Sequence, residues 1–140
     1  MRDFTHSLPM ALLRAREAVM SRFRPLLKAH NITEQQWRLL RALDDDDGLE
    51  ISELARRCCF LLPSVSGIVR RLESRSLLRR ASDRADQRRA KVFLTAKARR
   101  LIAKIAPQSE QRYRAIERTL GGSKLNALYD ALFELESELK

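Results

Sequence analysis

The chain has 140 residues, the usual size of one domain, and its 44% hydrophobic and 33% charged residues suit a soluble, helix-rich fold. Four glycines and four prolines are too few for a turn-dense β domain or a disordered linker. No run of about 18 apolar residues could span a membrane and no secretory signal is visible, so we expect a cytoplasmic protein.

The net charge of +10 is concentrated in one third of the sequence. Residues 56–100 hold 14 of the 28 basic residues but only three of the 18 acidic ones. Such a basic field is typical of polyanion binding, because each neutralised phosphate releases counterions. A basic helix on a membrane surface would need a broad apolar face beside the charge, and none is present here. Double-stranded DNA is therefore the expected partner, and no membrane association is expected.

The N-terminal third predicts two helices. Residues 8–28 have the apolar spacing of one amphipathic helix, with Pro9 in its first turn, where a missing N–H costs nothing. Thr33 and Gln36 form a capping-box pattern that begins the second helix. This helix carries Trp37 and should end at the four aspartates before Gly48, which we interpret as a solvated loop.

A helix-turn-helix is predicted next. Its first helix covers residues 51–59 with Ser52 as N-cap, and Pro63 starts the second after a tight turn. The second helix has an apolar face at intervals of three and four residues, and its opposite face is polar and basic. The polar and basic residues are Ser64, Ser66, Gly67, Arg70, Arg71 and Arg75. A basic second helix is typical of DNA recognition.

A hairpin and two long helices complete the chain. Short strands over residues 77–82 and 91–94 enclose an arginine-rich segment, which predicts a wing. Thr95 should cap a long helix in which Pro107 predicts a kink or a break, because proline removes one backbone hydrogen bond. Gly121, Gly122 and Ser123 should end that helix and begin the last one.

The terminal helices have more apolar positions than a small wing domain can cover, so a second copy of the chain is the expected partner. A two-fold dimer would place two recognition helices roughly 34–36 Å apart, one turn of B-DNA. The predicted fold is therefore mainly α-helical with a small β wing, in a single domain of 140 residues. A winged helix-turn-helix covers residues 33–95, flanked by dimerisation helices in residues 1–32 and 96–140.

With these elements in place, the chain resembles the MarR family of transcription regulators. The similar stretches are residues 51–55 (ISELA), residues 64–73 (SVSGIVRRLE), and the DQR of residues 86–88 leading to the FLT of residues 93–95. Residues 11–18, 23–25 and 30–38 are similar to one subgroup, the regulators of homoprotocatechuate (4-hydroxyphenylacetate) degradation operons. This resemblance implies a dimeric repressor that binds a pseudo-palindromic operator and is released by a small aromatic acid.

The resemblance also implies how DNA is contacted. The helix from Pro63 to Ser74 would read the major groove, and Arg88, oriented by Asp86, would enter the minor groove, where a narrow groove favours a guanidinium. Arg84 and Arg89 flank the tip of the wing, so we expect them to contact phosphates. The predicted DNA-binding residues are therefore Ser64, Ser66, Arg70, Arg71, Arg84, Asp86, Arg88 and Arg89.

An effector site is implied between the dimerisation helices and the DNA-binding lobe. Trp37 would offer an aromatic wall there, and Arg14, Arg16 or Arg38 would pair with a carboxylate. Arg16 falls on the apolar face of its helix, where an unpaired charge is costly. The alternatives are a core position for Trp37 and an ion pair with an acid such as Glu17 for Arg16.

Other functions are weighed against this one. Cys58 and Cys59 have the wrong spacing for a disulfide with each other or for a zinc site, so we expect inert packing, with Cys59 partly buried; a thiol-based redox sensor is the alternative. His6 and His30 are isolated, so neither a metal nor another cofactor is expected. No nucleophile–base pair or glycine-rich phosphate loop indicates an enzyme. A non-specific architectural DNA-binding protein also stays possible.

Overall fold

A computed structural model describes residues 1–81, 85 and 89–140, and residues 82–84 and 86–88 lie outside the described part. After one 3₁₀ turn at Phe4–His6, the helices are α1 (Leu8–Met20), α2 (Arg24–Ala29), α3 (Glu34–Asp45), α4 (Ile51–Cys58), α5 (Leu62–Ser74), α6 (Ala96–Leu120) and α7 (Gly122–Leu139). The strands are β1 (Leu49–Glu50), β2 (Leu78–Ala81) and β3 (Lys91–Leu94). The predicted class, mainly helix with a small β wing, is confirmed. Of the described helices, none is both long and apolar enough to cross a membrane.

Two compact units divide the chain. The central unit comprises residues 24–106, and the terminal unit comprises residues 1–23 and 107–140. Helix α6 contributes to both units because the division falls at Pro107. The dimerising role expected of residues 1–32 and 96–140 stays a prediction.

The central unit has one continuous hydrophobic core. Its fully buried large side chains are Leu39, Leu40, Leu43, Leu54, Leu72, Leu77, Ile105, Val65, Val69 and Val92. Each buried aliphatic side chain contributes about 1.5–3 kcal/mol relative to an exposed one, so this core fixes α3, α4, α5 and the sheet. Trp37 is half-buried and packs against the core from its edge.

The single helix predicted for residues 8–28 is wrong, since α1 ends at Met20 and α2 begins at Arg24. Pro25 explains the break: it has no N–H to donate to the carbonyl four residues earlier, and its ring crowds that carbonyl. The N–H groups of Arg22 and Phe23 instead donate to carbonyls three residues back, at 3.0 Å each, which tightens the chain into turns. Pro25 then lies in the first turn of α2, where proline is well tolerated.

Two of the three predicted helix caps are confirmed. The Thr33 hydroxyl accepts from the Gln36 N–H and the Gln36 side chain accepts from the Thr33 N–H, both at 3.1 Å. The Thr95 hydroxyl accepts the Ala98 N–H at 3.1 Å in the first turn of α6. The prediction of Ser52 as N-cap is wrong, because Glu50 takes that position and Ser52 lies inside α4.

The sheet has three antiparallel strands in the order β1-β3-β2. Strands β2 and β3 pair from Leu78↔Leu94 to Ala81↔Lys91, which confirms the predicted hairpin base. Strand β1 was not predicted. It is only two residues long, and the glycine before it, Gly48, has φ +77° and lies so close to the Phe93 ring that a Cβ there would be 2.7 Å from a ring carbon.

Of the kink or break predicted at Pro107, the break is wrong, because α6 runs from Ala96 to Leu120 as one helix; the kink stays a prediction. Proline removes one hydrogen bond among many in a helix of 25 residues. Ile105 and Ser109, on either side of it, are both buried and hold the flanking turns in place. Gly121, with φ +96°, ends α6 and is also the N-cap of α7.

Candidate nucleic-acid interface

The central unit contains the predicted helix-turn-helix. Helix α4 ends with Cys59 in the left-handed conformation at φ 57°, and the Phe60 N–H donates to the Ala55 carbonyl at 2.9 Å. This closing bond turns the chain sharply, as in a Schellman-type helix end. Helix α5 begins directly afterwards, with Pro63 in its first turn. Two short helices are thus joined by a turn of three residues.

Helix α5 separates a buried face from an outward one. Its inward side chains are Val65, Ile68, Val69 and Leu72, each at most 7% exposed. On the outward face Ser64, Arg70 and Arg71 are exposed. Neither guanidinium, of Arg70 or Arg71, makes a hydrogen bond or ion pair with any residue that the structure describes. Two cations are therefore held on a rigid helix with nothing in the described chain to neutralise them.

Ser66 is a weaker candidate contact than its sequence position indicated. It is half-buried, and its hydroxyl donates back to the Leu62 carbonyl at 3.4 Å within the helix. Ser64, at the N-terminal end of α5, has an exposed side chain and matches the position from which recognition helices contact bases.

Several arginines of the basic third are already paired inside the protein. Arg56 donates to Glu53 at 3.0 and 2.6 Å, and Arg57 donates to the same carboxylate at 3.0 Å. Arg57 also lies 3.0 Å from Asp46. These hydrogen bonds, from Arg56 first and then Arg57, lower the pKa of Glu53 from 4.5 to about 2. Counting basic residues in the sequence therefore overestimates the positive charge that is available to bind a polyanion.

The β2–β3 hairpin is tied to α5. Arg80 on β2 donates to Glu73 in the last turn of α5 at 2.7 Å, and its side chain is only 20% exposed. Arg79, next to it, points the other way: it is exposed, with its guanidinium 4.4 Å from the Phe93 ring centroid. Lys91 is exposed at the register position opposite Ala81. Sequence reasoning missed Arg79 and Lys91, although the strand alternation beginning at the buried Leu78 could have identified Arg79.

The predicted contacts at the wing tip are only partly described. Arg84, Asp86 and Arg88 lie outside the described residues. Arg89 is described and exposed, and the next residue, Ala90, is buried with its carbonyl accepting the Ile51 N–H at 3.1 Å. Arg89 is therefore next to a residue whose backbone is hydrogen-bonded to the start of α4.

The predicted effector residues of the central unit differ in their environment. Trp37 is half-buried, with the Arg41 guanidinium 6.0 Å from its ring centroid, so an aromatic face and a cation adjoin. Arg38 donates to the Cys58 carbonyl at 2.9 Å and to Glu34 at 3.0 Å, and its guanidinium is 4.4 Å from the Phe60 ring. Arg38 thus ties α3 to the end of α4.

The other two predicted effector residues belong to the terminal unit. Arg14 donates to the Thr5 carbonyl at 3.0 Å, with its guanidinium 5.9 Å from the Phe4 ring. Arg16 lies 3.9 Å from Glu17, and its side chain is 43% exposed. The contact with Glu17 is the alternative that the sequence analysis gave for Arg16, and the role of Arg16 toward an effector stays a prediction.

The cysteines have opposite environments. Cys58 is buried in the core side of α4, and burial raises its thiol pKa, which disfavours the reactive thiolate. Cys59 is exposed, so the prediction that it is partly buried is wrong; as the left-handed end residue of α4 it faces away from the core. Among residues 1–81, 85 and 89–140, no group of three or more His, Cys, Asp or Glu side chains could hold a metal ion.

Comparison with known proteins gives consistent matches. The MarR family profile matches residues 32–90. The chain is 43% identical to the HTH-type transcriptional regulator FarR of Neisseria gonorrhoeae, over 92% of this chain and 88% of that protein. It is 42% identical to the homoprotocatechuate degradative operon repressor of Escherichia coli, over 91% of this chain and 86% of that one. A crystal structure of NadR in complex with 4-hydroxyphenylacetate superposes with a TM-score of 0.86 at 40% identity, covering 96% of this chain and 100% of NadR.

Proposed function

This chain belongs to the MarR family of transcriptional regulators, and on that premise we propose that it represses an operon for breakdown of an aromatic acid and is released by such an acid. The observation that carries DNA binding is the outward face of α5, where Arg70 and Arg71 have no partner among the described residues. Repression and the aromatic effector are supported by the relatives, one named as a homoprotocatechuate operon repressor and one bound to 4-hydroxyphenylacetate. A repressor must reach the chromosome, so we place its activity in the cytoplasm.

In the proposed complex, the N-terminal part of α5 enters the major groove with Ser64 near the base edges. Arg70 and Arg71 then contact phosphates or guanine edges, since a guanidinium can donate two parallel hydrogen bonds to either. Arg79 and Lys91 add positive charge beside this helix at the base of the wing.

The wing contributes the second set of proposed contacts. Arg88, oriented by Asp86, enters the minor groove, and Arg84 and Arg89 contact flanking phosphates. Changing Arg88 to alanine is expected to weaken operator binding at least tenfold, about 1.4 kcal/mol. The matched control is Arg114→Ala, which removes an exposed arginine from α6. Equal operator affinities of the two variants would remove the wing from the mechanism.

A second copy of the chain is the proposed partner of the terminal unit. Helices α1 and α7 bury none of their side chains within one chain. Large apolar side chains are exposed there, among them Leu12 at 39%, Leu13 at 49%, Leu128 at 47% and Phe133 at 62%. A groove of about 180 Å³ adjoins them, lined by Val19, Tyr113, Ile116, Leu125, Leu128, Tyr129 and Leu132. Apolar surface of this extent marks a protein interface, and two-fold pairing would set the recognition helices at groove spacing.

The proposed effector is a small aromatic carboxylate. Trp37 is a candidate aromatic contact in the central unit, and Arg14 and Arg16 are candidate carboxylate partners in the terminal unit. Arg38 is a less suitable partner because its charge is already paired with Glu34 at 3.0 Å, closer than the 3.9 Å between Arg16 and Glu17. For the acid to release DNA, it must bind the DNA-free form more tightly than the DNA-bound form.

A mobility-shift titration tests this function. Purified protein is mixed with DNA from upstream of its own gene, with scrambled DNA of equal length as control, and then titrated with 4-hydroxyphenylacetate and homoprotocatechuate. We expect a shift specific to the upstream DNA that one of the acids reverses. Equal affinity for both DNAs would instead identify a non-specific architectural protein. Specific binding that neither acid reverses would refute the proposed effector class.

A further inference from the structure

A basic groove lies in the central unit where the end of α5, the approach to β2 and the first turns of α6 meet. It has a volume of about 250 Å³ and is lined by Arg75, Leu77, Lys97, Arg100, Leu101 and Lys104. Four of these six residues are cations and none is an acid. We propose that the groove binds a small organic anion with an apolar body, such as an arene carboxylate or sulfonate. This site is independent of the proposed repression and does not involve the residues assigned to the effector above.

The three cations on α6 form a single stripe. Lys97, Arg100 and Lys104 are spaced by three and four residues, so they lie on one face of the helix, where like charges repel. Lys97 also lies in the first turn of α6, where the helix end carries a partial positive charge, and this turn contains no acidic residue. Both effects raise the energy of the empty groove, and a bound anion would relieve both.

The groove also has an apolar floor and a fixed cation. Leu77 is 1% exposed and Leu101 is half-buried against the core. Arg75 is half-buried, and its guanidinium donates to the Asn31 carbonyl at 2.6 Å. Lys97 donates to the Arg75 carbonyl at 2.8 Å, which holds the two cations together. A guanidinium anchored in this way is preorganised to bind a carboxylate or sulfonate without losing its rotational freedom on binding.

The size of the groove favours a small molecule. Pockets that bind small molecules have volumes of about 300–1,000 Å³, and this groove is slightly below that range. One or two aromatic rings with a single acidic group match both the volume and the arrangement of apolar floor and cationic rim.

The position of the groove argues against DNA as its occupant. Arg75 is the C-cap of α5, eleven residues beyond Ser64, which corresponds to about 16 Å along the helix. Recognition helices contact bases with their N-terminal residues. Leu77 precedes the Leu78↔Leu94 pair, which is the end of the wing ladder remote from the tip. The groove is therefore at the far end of both DNA-contacting elements.

Nuclear magnetic resonance of the full-length protein tests the proposal, with naphthalene-2-sulfonate as the probe. We expect saturable shifts of the backbone amides of Ser76, Leu77 and Leu101. The variant Arg100→Gln/Lys104→Gln should raise the dissociation constant at least tenfold. The control Arg114→Gln/Arg118→Gln removes the same charge at the same spacing from the same helix and should leave the constant unchanged.

Four results would overturn the proposal. The chemical-shift changes could be confined to residues outside the groove. The two double variants could also weaken sulfonate binding equally, which would mean that binding depends only on the net charge of the protein. Inorganic phosphate could bind the same amides as tightly as the sulfonate, in which case the apolar floor has no role. Finally, Arg100→Gln/Lys104→Gln could weaken operator binding far more than its control does, which would identify the groove as a DNA contact.

Discussion

Replacing Arg70 by glutamine should weaken operator binding without destabilising the protein. Its side chain is exposed and bonds to no residue that the structure describes, so the folded protein loses no interaction. A bidentate arginine contact to a guanine edge is worth about 1–3 kcal/mol. The proposed dimer has two copies of the residue, so the loss is about 2 kcal/mol or more, which is roughly a 30-fold rise in the dissociation constant. If Arg70 binds a phosphate instead, the slope of log affinity against log salt concentration should become shallower. The slope should change by about one for each phosphate that the variant no longer neutralises.

Arg80→Gln is the matched comparison, because Arg80 lies in the same basic segment but is paired internally. Its guanidinium is 2.7 Å from Glu73, with the two side chains 20% and 30% exposed. Removing it leaves a partly buried carboxylate without its partner, which should lower the free energy of unfolding by about 1–2 kcal/mol. Operator affinity should change less than in Arg70→Gln.

The assay is fluorescence anisotropy of a labelled operator duplex at several salt concentrations, together with denaturant unfolding of each variant. Arg70→Gln should mainly lower the affinity for the operator, and Arg80→Gln should mainly lower the free energy of unfolding. If Arg70→Gln binds like the unaltered protein at every salt concentration, the outward face of α5 does not contact DNA as proposed. Loss of binding by Arg80→Gln with unchanged unfolding would contradict its structural role.

Three further changes have clear expectations. Gly48→Ala should destabilise the protein by more than Gly121→Ala, because both have positive φ but only the first would also clash with an aromatic ring; equal melting temperatures would mean that the ring moves aside. Cys59 should react with a thiol reagent in the folded protein and Cys58 only after unfolding, so equal rates would contradict the burial of Cys58. The pKa of Glu53 is lowered from 4.5 to about 2 in the folded protein, so its carboxylate stabilises the fold above pH 4.5 and this contribution is lost as the pH falls toward 2. Glu53→Gln should therefore flatten the pH dependence of unfolding between those values, and an unaltered acid slope would show that its two arginine partners contribute nothing.

Local signals in the sequence predicted most of the fold because they involve neighbouring residues. The capping box at Thr33 and the apolar positions of α5, spaced by three and four residues, can be recognised without knowing the rest of the chain. The two prolines show the limit. Pro25 interrupts a helix that the apolar spacing had predicted to continue, while Pro107 lies in a helix that continues, supported by buried residues on both sides. Apolar spacing alone could not distinguish these two cases.

The site was predicted less completely than the fold, since charge in a sequence does not reveal which charges are paired. Arg56, Arg57 and Arg80 are all bonded to acids in the structure. Their partners are three, four and seven residues away, so the two pairings within α4 could have been identified from helical spacing. The Arg80 pairing could not, because it depends on how a strand packs beside the end of α5.

The Arg80–Glu73 pair and the buried face of α5 hold this helix in place without help from its outward residues. Ser64, Arg70 and Arg71 can therefore be exchanged without disturbing the scaffold. After gene duplication, a copy of this regulator could be retargeted to a different operator by a few substitutions that leave its folding intact. The same separation makes this helix a convenient starting point for engineering new sequence preferences.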